Sequence, residues 1–114
     1  MSAPMEPEKA AEVIEKWISF YGMDNPKAWP SEDYAYVKRA CEAMRRAIDF
    51  LKGQNETLTT KEIEDIAQIL KDWPRMHSMN NPKMWEKETY PFVRSSLHAL
   101  MFTVSYLQEH QANQ

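Results

Sequence analysis

Two segments of the chain carry apolar residues that recur at alternating intervals of three and four positions. The first set is Tyr34, Val37, Cys41, Met44, Ile48 and Leu51, and the second set is Tyr90, Val93, Leu97, Leu100, Val104 and Leu107. This spacing places each set along one face of an α-helix. The sequence therefore predicts two long amphipathic helices whose apolar faces pack together in a core.

A shorter helix is predicted ahead of each long helix. In the first half the helical spacing is carried by Ala10, Val13, Ile14, Trp17 and Ile18. Gly22 then provides a stop signal. In the second half Thr59 and Glu62 have the spacing of a capping box, which marks a helix start. Pro74 is expected to end that helix soon after Trp73, because a helix interior accepts proline poorly.

The chain aligns with itself at an offset of 56 positions without a gap, so that residues 7–52 lie over residues 63–108. Identical pairs include Trp17/Trp73, Met23/Met79, Asn25/Asn81, Pro26/Pro82, Lys27/Lys83, Trp29/Trp85, Tyr34/Tyr90, Val37/Val93, Ala43/Ala99 and Leu51/Leu107. Self-similarity at a fixed offset predicts a repeated structural unit. We therefore expect an all-α, internally duplicated bundle with pseudo-two-fold symmetry, built from four main helices plus short corner helices.

The same alignment predicts the domain organisation. We expect a single helical domain over residues 1–114, with one repeat at 7–52, a linker at 53–58 and a second repeat at 59–108. Residues 1–6 and 109–114 are expected to be flexible, as chain ends often are.

Nearly the same seven residues, MDNPKAW and MNNPKMW, begin at Met23 and at Met79. The structural corner motif predicted from them comprises Asn25, Pro26, Trp29, Asn81, Pro82 and Trp85. Asparagine suits a helix cap and proline suits the first helical position. We expect Trp29 to fold back on Trp17, and Trp85 on Trp73, so that the indoles cover the core. A pair of ligand-binding indoles is the alternative interpretation.

The outer faces of the two long helices differ. The first carries Lys38, Arg39, Glu42, Arg45, Arg46 and Asp49, and the matching positions of the second are Arg94, Ser95, His98, Met101, Phe102 and Ser105. The loss of charge suggests that the second face does not meet water. Either it is buried within the monomer, for example under the N-terminal segment, or it is a protein interface. The interface hypothesis rests on Arg94, His98, Met101, Phe102 and Ser105.

Composition excludes several classes of function. The net charge of −3 gives no general attraction to phosphate or to acidic lipid. No apolar run approaches the roughly 20 residues needed to cross a bilayer. A phosphate-binding glycine-rich loop is excluded, since Gly22 and Gly53 are the two glycines of the sequence. A single cysteine, Cys41, and the lack of a signal peptide predict a cytoplasmic protein.

No catalytic or metal-binding arrangement stands out. The spacing of His77, His98 and His110 does not place two ligands on one helical face. Cys41 falls on the apolar stripe and aligns with Leu97, which is typical of a core residue. We therefore expect no catalytic residues, no bound metal, no cofactor and no enzymatic activity.

The resulting hypothesis is a non-catalytic accessory or regulatory module of the adaptor or inhibitor type. It binds a protein partner of unknown identity and forms a homodimer through the second long helix. The alternative is a nucleic-acid-binding regulator that uses Lys38, Arg39, Arg45 and Arg46, although Glu42 and Asp49 lie in the same strip. The third hypothesis is a small-molecule pocket in a core rich in aromatic residues and methionine.

Overall fold

Four α-helices and two short 3-10 helices make up the computed structural model, which describes residues 5–53 and 58–112, apart from the side chains of residues 111 and 112. The helices are α1 (Pro7–Tyr21), α2 (Ser31–Leu51), α3 (Thr60–Met76) and α4 (Tyr90–Ala112), with 3-10 helices at Pro26–Ala28 and Pro82–Met84. The described residues contain no strand, which confirms the all-α class.

The four α-helices pack in a ring. The short helix α1 packs against α2 and α4, and the short helix α3 packs against the same two long helices. Each long helix therefore lies between two short ones, whereas the sequence led us to expect the long helices to pack mainly on each other. The apolar face of α2 is wide enough for two neighbours, because Ala40, Ala43 and Ala47 are buried beside its main stripe.

The core runs through all four helices and includes the segments that follow the short ones. Its fully buried large side chains include Ile14, Ile18, Met23, Met44, Ile63, Leu70, Trp73, Met79, Leu100 and Leu107. Met23 and Met79 each follow the end of a short helix, and each is completely buried. The first residue of each seven-residue motif thus anchors the corner to the core.

Both short helices end with a residue in the left-handed conformation. Gly22 has φ 57° after α1, and Ser78 has φ 52° after α3. The next amide then bonds back to the helix: Met23 N–H donates to the Ile18 carbonyl at 3.1 Å, and Met79 N–H donates to the Pro74 carbonyl at 3.0 Å. Glycine adopts this conformation without steric cost, whereas serine does not.

The start of α3 has the predicted capping box. The Thr59 hydroxyl accepts the Glu62 N–H at 3.1 Å, and the Glu62 carboxylate accepts the Thr59 N–H at 3.2 Å. At the other end Pro74 lies inside the helix, which continues to Met76. Proline there lacks the N–H that would otherwise donate to the carbonyl of Leu70 four residues earlier, and the helix ends two residues beyond it.

The predicted linker and chain ends lie partly outside the described residues, namely at residues 1–4, 54–57 and 113–114. Within the described part, Leu58 at the end of the linker is buried and α4 continues through Glu109 to Ala112. The flexibility of the ends stays a prediction. Among the helices of the described ranges, none combines the length and the apolar character that a membrane span requires.

Candidate protein-binding surface

The two corner motifs have matching hydrogen bonds. The side chain of Asn25 accepts the Lys27 N–H at 3.0 Å, and that of Asn81 accepts the Lys83 N–H at 3.1 Å. These bonds start the two 3-10 helices, in which proline occupies the first position. Each motif therefore forms a short capped turn.

The motif tryptophans tie each corner to the helix before it. Trp29 Nε1–H donates to the Gly22 carbonyl at 3.1 Å, and Trp85 Nε1–H donates to the Ser78 carbonyl at 2.9 Å. Both indoles are half-buried. The hydrogen bond fixes which way each ring faces.

The indole contacts run across the molecule instead of within each half. The ring of Trp29 lies 6.1 Å from that of Trp73, and the ring of Trp85 lies 6.2 Å from that of Trp17. The expected pairing of Trp29 with Trp17 and of Trp85 with Trp73 is therefore wrong. The physical reason is the arrangement of the helices in a ring. The end of α1 lies beside the start of α4, and Trp85 lies shortly before that start.

Two aromatic clusters result. In the first, Trp17 contacts Tyr21 at 4.4 Å and Phe92 at 5.9 Å. In the second, Trp73 contacts His77 at 4.1 Å and stacks on Tyr36 at 6.3 Å. The ring nitrogens Nε1 of the central indoles, Trp17 and Trp73, are buried without a hydrogen-bond acceptor in the described part of the chain. A buried unsatisfied donor has a free-energy cost, so these two positions oppose stability while their rings favour it.

Burial also governs the titration of groups in and near these clusters. It lowers the pKa of His77 from its ordinary value of 6.5, although the nearby Asp33 carboxylate acts in the opposite direction. Burial raises the pKa of Tyr21, and together with Asp72 it raises the pKa of Tyr36. It raises the pKa of the Cys41 thiol as well, which disfavours the nucleophilic thiolate.

An open groove of about 480 Å³ adjoins the first cluster. Its lining residues are Lys16, Ser19, Phe20, Glu88, Thr89 and Phe92. Phe20 is 66% exposed and its ring lies 5.3 Å from that of Phe92. The sequence pattern does not predict this groove, because Phe20 follows Trp17 by three positions and so lies at the edge of the apolar stripe of α1.

The predicted interface residues of α4 lie on the surface. Arg94, His98 and Ser105 are exposed, and Met101 is 37% exposed. Phe102 is half-buried and its ring stacks on Tyr106 at 6.0 Å. Burial under the described residues therefore accounts in part for Phe102 but leaves Arg94, His98, Met101 and Ser105 on the surface.

Five exposed positions follow one another along α4 at intervals of three and four and carry no formal charge. We name this surface the uncharged stripe, and it comprises Ser95, His98, Met101, Ser105 and Gln108. A shallow groove of about 360 Å³ lies at its N-terminal end, lined by Tyr90, Pro91, Arg94, Ser95 and His98. The matching positions of the first half are all charged: Arg39, Glu42, Arg45 and Asp49 on α2, and Lys52 directly after it.

Two of the four basic residues proposed for nucleic-acid contact lie in ion pairs with carboxylates. Lys38 and Arg39 are exposed, but Arg45 pairs with Asp24 at 3.0 Å and Arg46 pairs with Glu62. The Arg46 hydrogen bond, together with the cap at Thr59, holds the pKa of Glu62 below its usual value. Two of the four cations are thus partly neutralised by carboxylates.

Within the described ranges, no group of three histidine, cysteine, aspartate or glutamate side chains could hold a metal ion. Comparisons with protein families, with curated proteins and with solved structures found no match for this chain. The functional assignment therefore depends on the surface of the molecule itself.

Proposed function

We propose that the chain is a non-catalytic protein-binding module of adaptor or inhibitor type, and that it associates with a second copy of itself through the uncharged stripe of α4. The observation that carries this proposal is the difference between the long helices. All five matching positions in the first half, four on α2 and one directly after it, are charged, and none of the stripe positions on α4 carries a formal charge. Met101 lies exposed at the centre of the stripe.

The physical support is the cost of removing a surface from water. Charged side chains lose favourable hydration when they are buried, whereas serine, glutamine, neutral histidine and methionine lose much less. The cores of protein interfaces are accordingly depleted in charge and enriched in methionine and aromatic residues. The stripe shares the depletion in charge, and Met101 and the half-buried Phe102 beside it are of residue types that are enriched in such cores.

The test is the mass of the protein in solution across a range of concentrations. Light scattering or sedimentation should give a dimer that dissociates on dilution. Met101→Asp should weaken the dimer at least about tenfold, since a buried unpaired carboxylate is costly. Met84→Asp is the matched control, because Met84 is 64% exposed and lies outside the stripe. A monomer at all concentrations would refute the proposal.

The other two functions have less support. A nucleic-acid regulator would need Lys38 and Arg39 to act beside the ion-paired Arg45 and Arg46. A small-molecule site in the core rich in aromatic residues and methionine would need an internal cavity, whereas the groove beside Phe20 lies at the surface and is open to solvent on one side. We also propose a cytoplasmic location, because a lone buried thiol at Cys41 suits a reducing compartment.

We further propose that the two halves are copies of one ancestral unit, arranged with pseudo-two-fold symmetry. Support comes from the ungapped alignment at offset 56 and from hydrogen bonds that recur at the same offset, such as those of Trp29 and Trp85. Under this proposal the charged face of α2 and the uncharged stripe of α4 diverged after the duplication.

A further inference from the structure

Oppositely charged residues flank the two ends of the uncharged stripe. Arg94 directly precedes Ser95, and Glu109 directly follows Gln108. Both are exposed, and neither forms an ion pair with any described residue. On an α-helix fifteen residues separate them by roughly 22 Å, so they do not reach each other within one copy.

The stripe is also symmetric about its centre. Ser95 and Gln108 are equally far from the point between Met101 and Phe102, and so are His98 and Ser105. Arg94 and Glu109 are also equally far from this point. If two copies of the chain pack with antiparallel α4 helices about a two-fold axis near this point, the N-terminal end of each stripe therefore faces the C-terminal end of the stripe of the other copy.

We propose that two copies associate as an antiparallel pair of α4 helices, with Arg94 of each copy opposite Glu109 of the other. This inference rests on the proposed function, and it specifies the partner's orientation. An axis anywhere between Met101 and Thr103 keeps Arg94 within one helical turn of Glu109 of the second copy. A parallel pair would instead place Arg94 against Arg94, which is repulsive.

The shape of the surface agrees with this orientation. The groove lined by Arg94, Ser95 and His98 lies at the N-terminal end of the stripe. In the antiparallel pair it receives the C-terminal end of the stripe, Gln108 and Glu109, from the second copy. The two-fold axis repeats the contact, so both grooves are filled, as an isologous interface requires.

Charge reversal tests the orientation. Arg94→Glu and Glu109→Arg should each raise the dimer Kd by about 5- to 30-fold, because each change replaces two attractive contacts by two repulsive ones. The double variant should return the Kd to within about threefold of the starting value. Lys38→Glu, the same change at the matching position of α2, should leave the Kd unaltered. Far-UV circular dichroism checks that each variant keeps its helices.

The outcomes separate the inference from the proposed function. If Met101→Asp dissociates the dimer but the double reversal is no tighter than the single ones, the antiparallel orientation is wrong and the dimer stands. A monomeric starting protein refutes both. As a direct measure, a mixture of Ser95→Cys and Gln108→Cys chains should crosslink to each other. Faster crosslinking of Ser95→Cys chains with themselves would establish a parallel pair and overturn the inference.

Discussion

Trp29 and Trp73 lie 6.1 Å apart between ring centroids, edge to face, although they come from opposite halves of the chain. Trp85 and Trp17 form the corresponding contact at 6.2 Å. Because each motif indole is also hydrogen-bonded to the end of the helix before it, the corners connect the halves as well as turning the chain. The seven-residue motif thus contributes to packing between halves.

Replacing a motif tryptophan should therefore weaken the fold. Trp29→Phe keeps an aromatic ring but removes the Nε1–H that donates to Gly22. We expect the free energy of unfolding to fall by about 1–3 kcal/mol, from the lost hydrogen bond and the smaller ring contact. Urea denaturation measures the change. Trp85→Phe should have a similar effect, and an unchanged stability in both variants would show that these hydrogen bonds contribute little.

A change at Ser78 should stabilise the fold instead of weakening it. Its φ of 52° is unfavourable for a residue with a Cβ, whereas Gly22 occupies the corresponding place in the first half with φ 57°. Ser78→Gly should raise the free energy of unfolding by about 0.5–1 kcal/mol. The reverse change, Gly22→Ser, should lower it, because the new Cβ would also lie 3.2 Å from the Cβ of Ala28. A destabilised Ser78→Gly variant would indicate that the serine side chain makes a favourable contact.

The pH dependence of stability should reflect His77. Burial against Trp73 and Trp29 keeps its pKa in the folded chain below the ordinary value of 6.5. The unfolded chain therefore binds the proton more readily. The stabilising contribution is complete above about pH 6.5 and is lost as the pH falls through that value toward the folded pKa.

Urea denaturation of the wild-type chain and of His77→Gln at pH 8 and at pH 5.5 measures this effect. Glutamine does not titrate, so the variant should lose less stability than the wild type between the two pH values. Its stability at pH 8 should be lower, because the ring contact with Trp73 is absent. Equal losses for the two chains would exclude His77 as the cause.

The sequence was sufficient for the helices and their caps but not for the way the halves meet. Periodicity and the Thr59–Glu62 spacing depend on local rules, and both are present in the structure. The partner of Trp29 does not follow from such local rules. The two halves have similar apolar faces, so a contact of Trp29 with Trp17 and one with Trp73 are equally consistent with the spacing of apolar residues. Likewise, a helix face with little charge is consistent with burial or with an interface, and the packing of the helices, which leaves Met101 exposed, does not follow from that pattern.

The last prediction concerns nucleic acid. The chain has a net charge of −3, and two of the four candidate cations on α2 are paired with Asp24 and Glu62. Nucleic-acid affinity comes largely from cations that neutralise phosphates and release counterions. We therefore expect no retention on immobilised DNA or RNA at low salt. Retention that decreases with added salt, and that disappears when Arg39 and Arg46 are changed to glutamine, would instead support the nucleic-acid function over the protein-binding one. Arg94→Gln serves as the matched control, since it removes an arginine from α4 and leaves the strip on α2 intact.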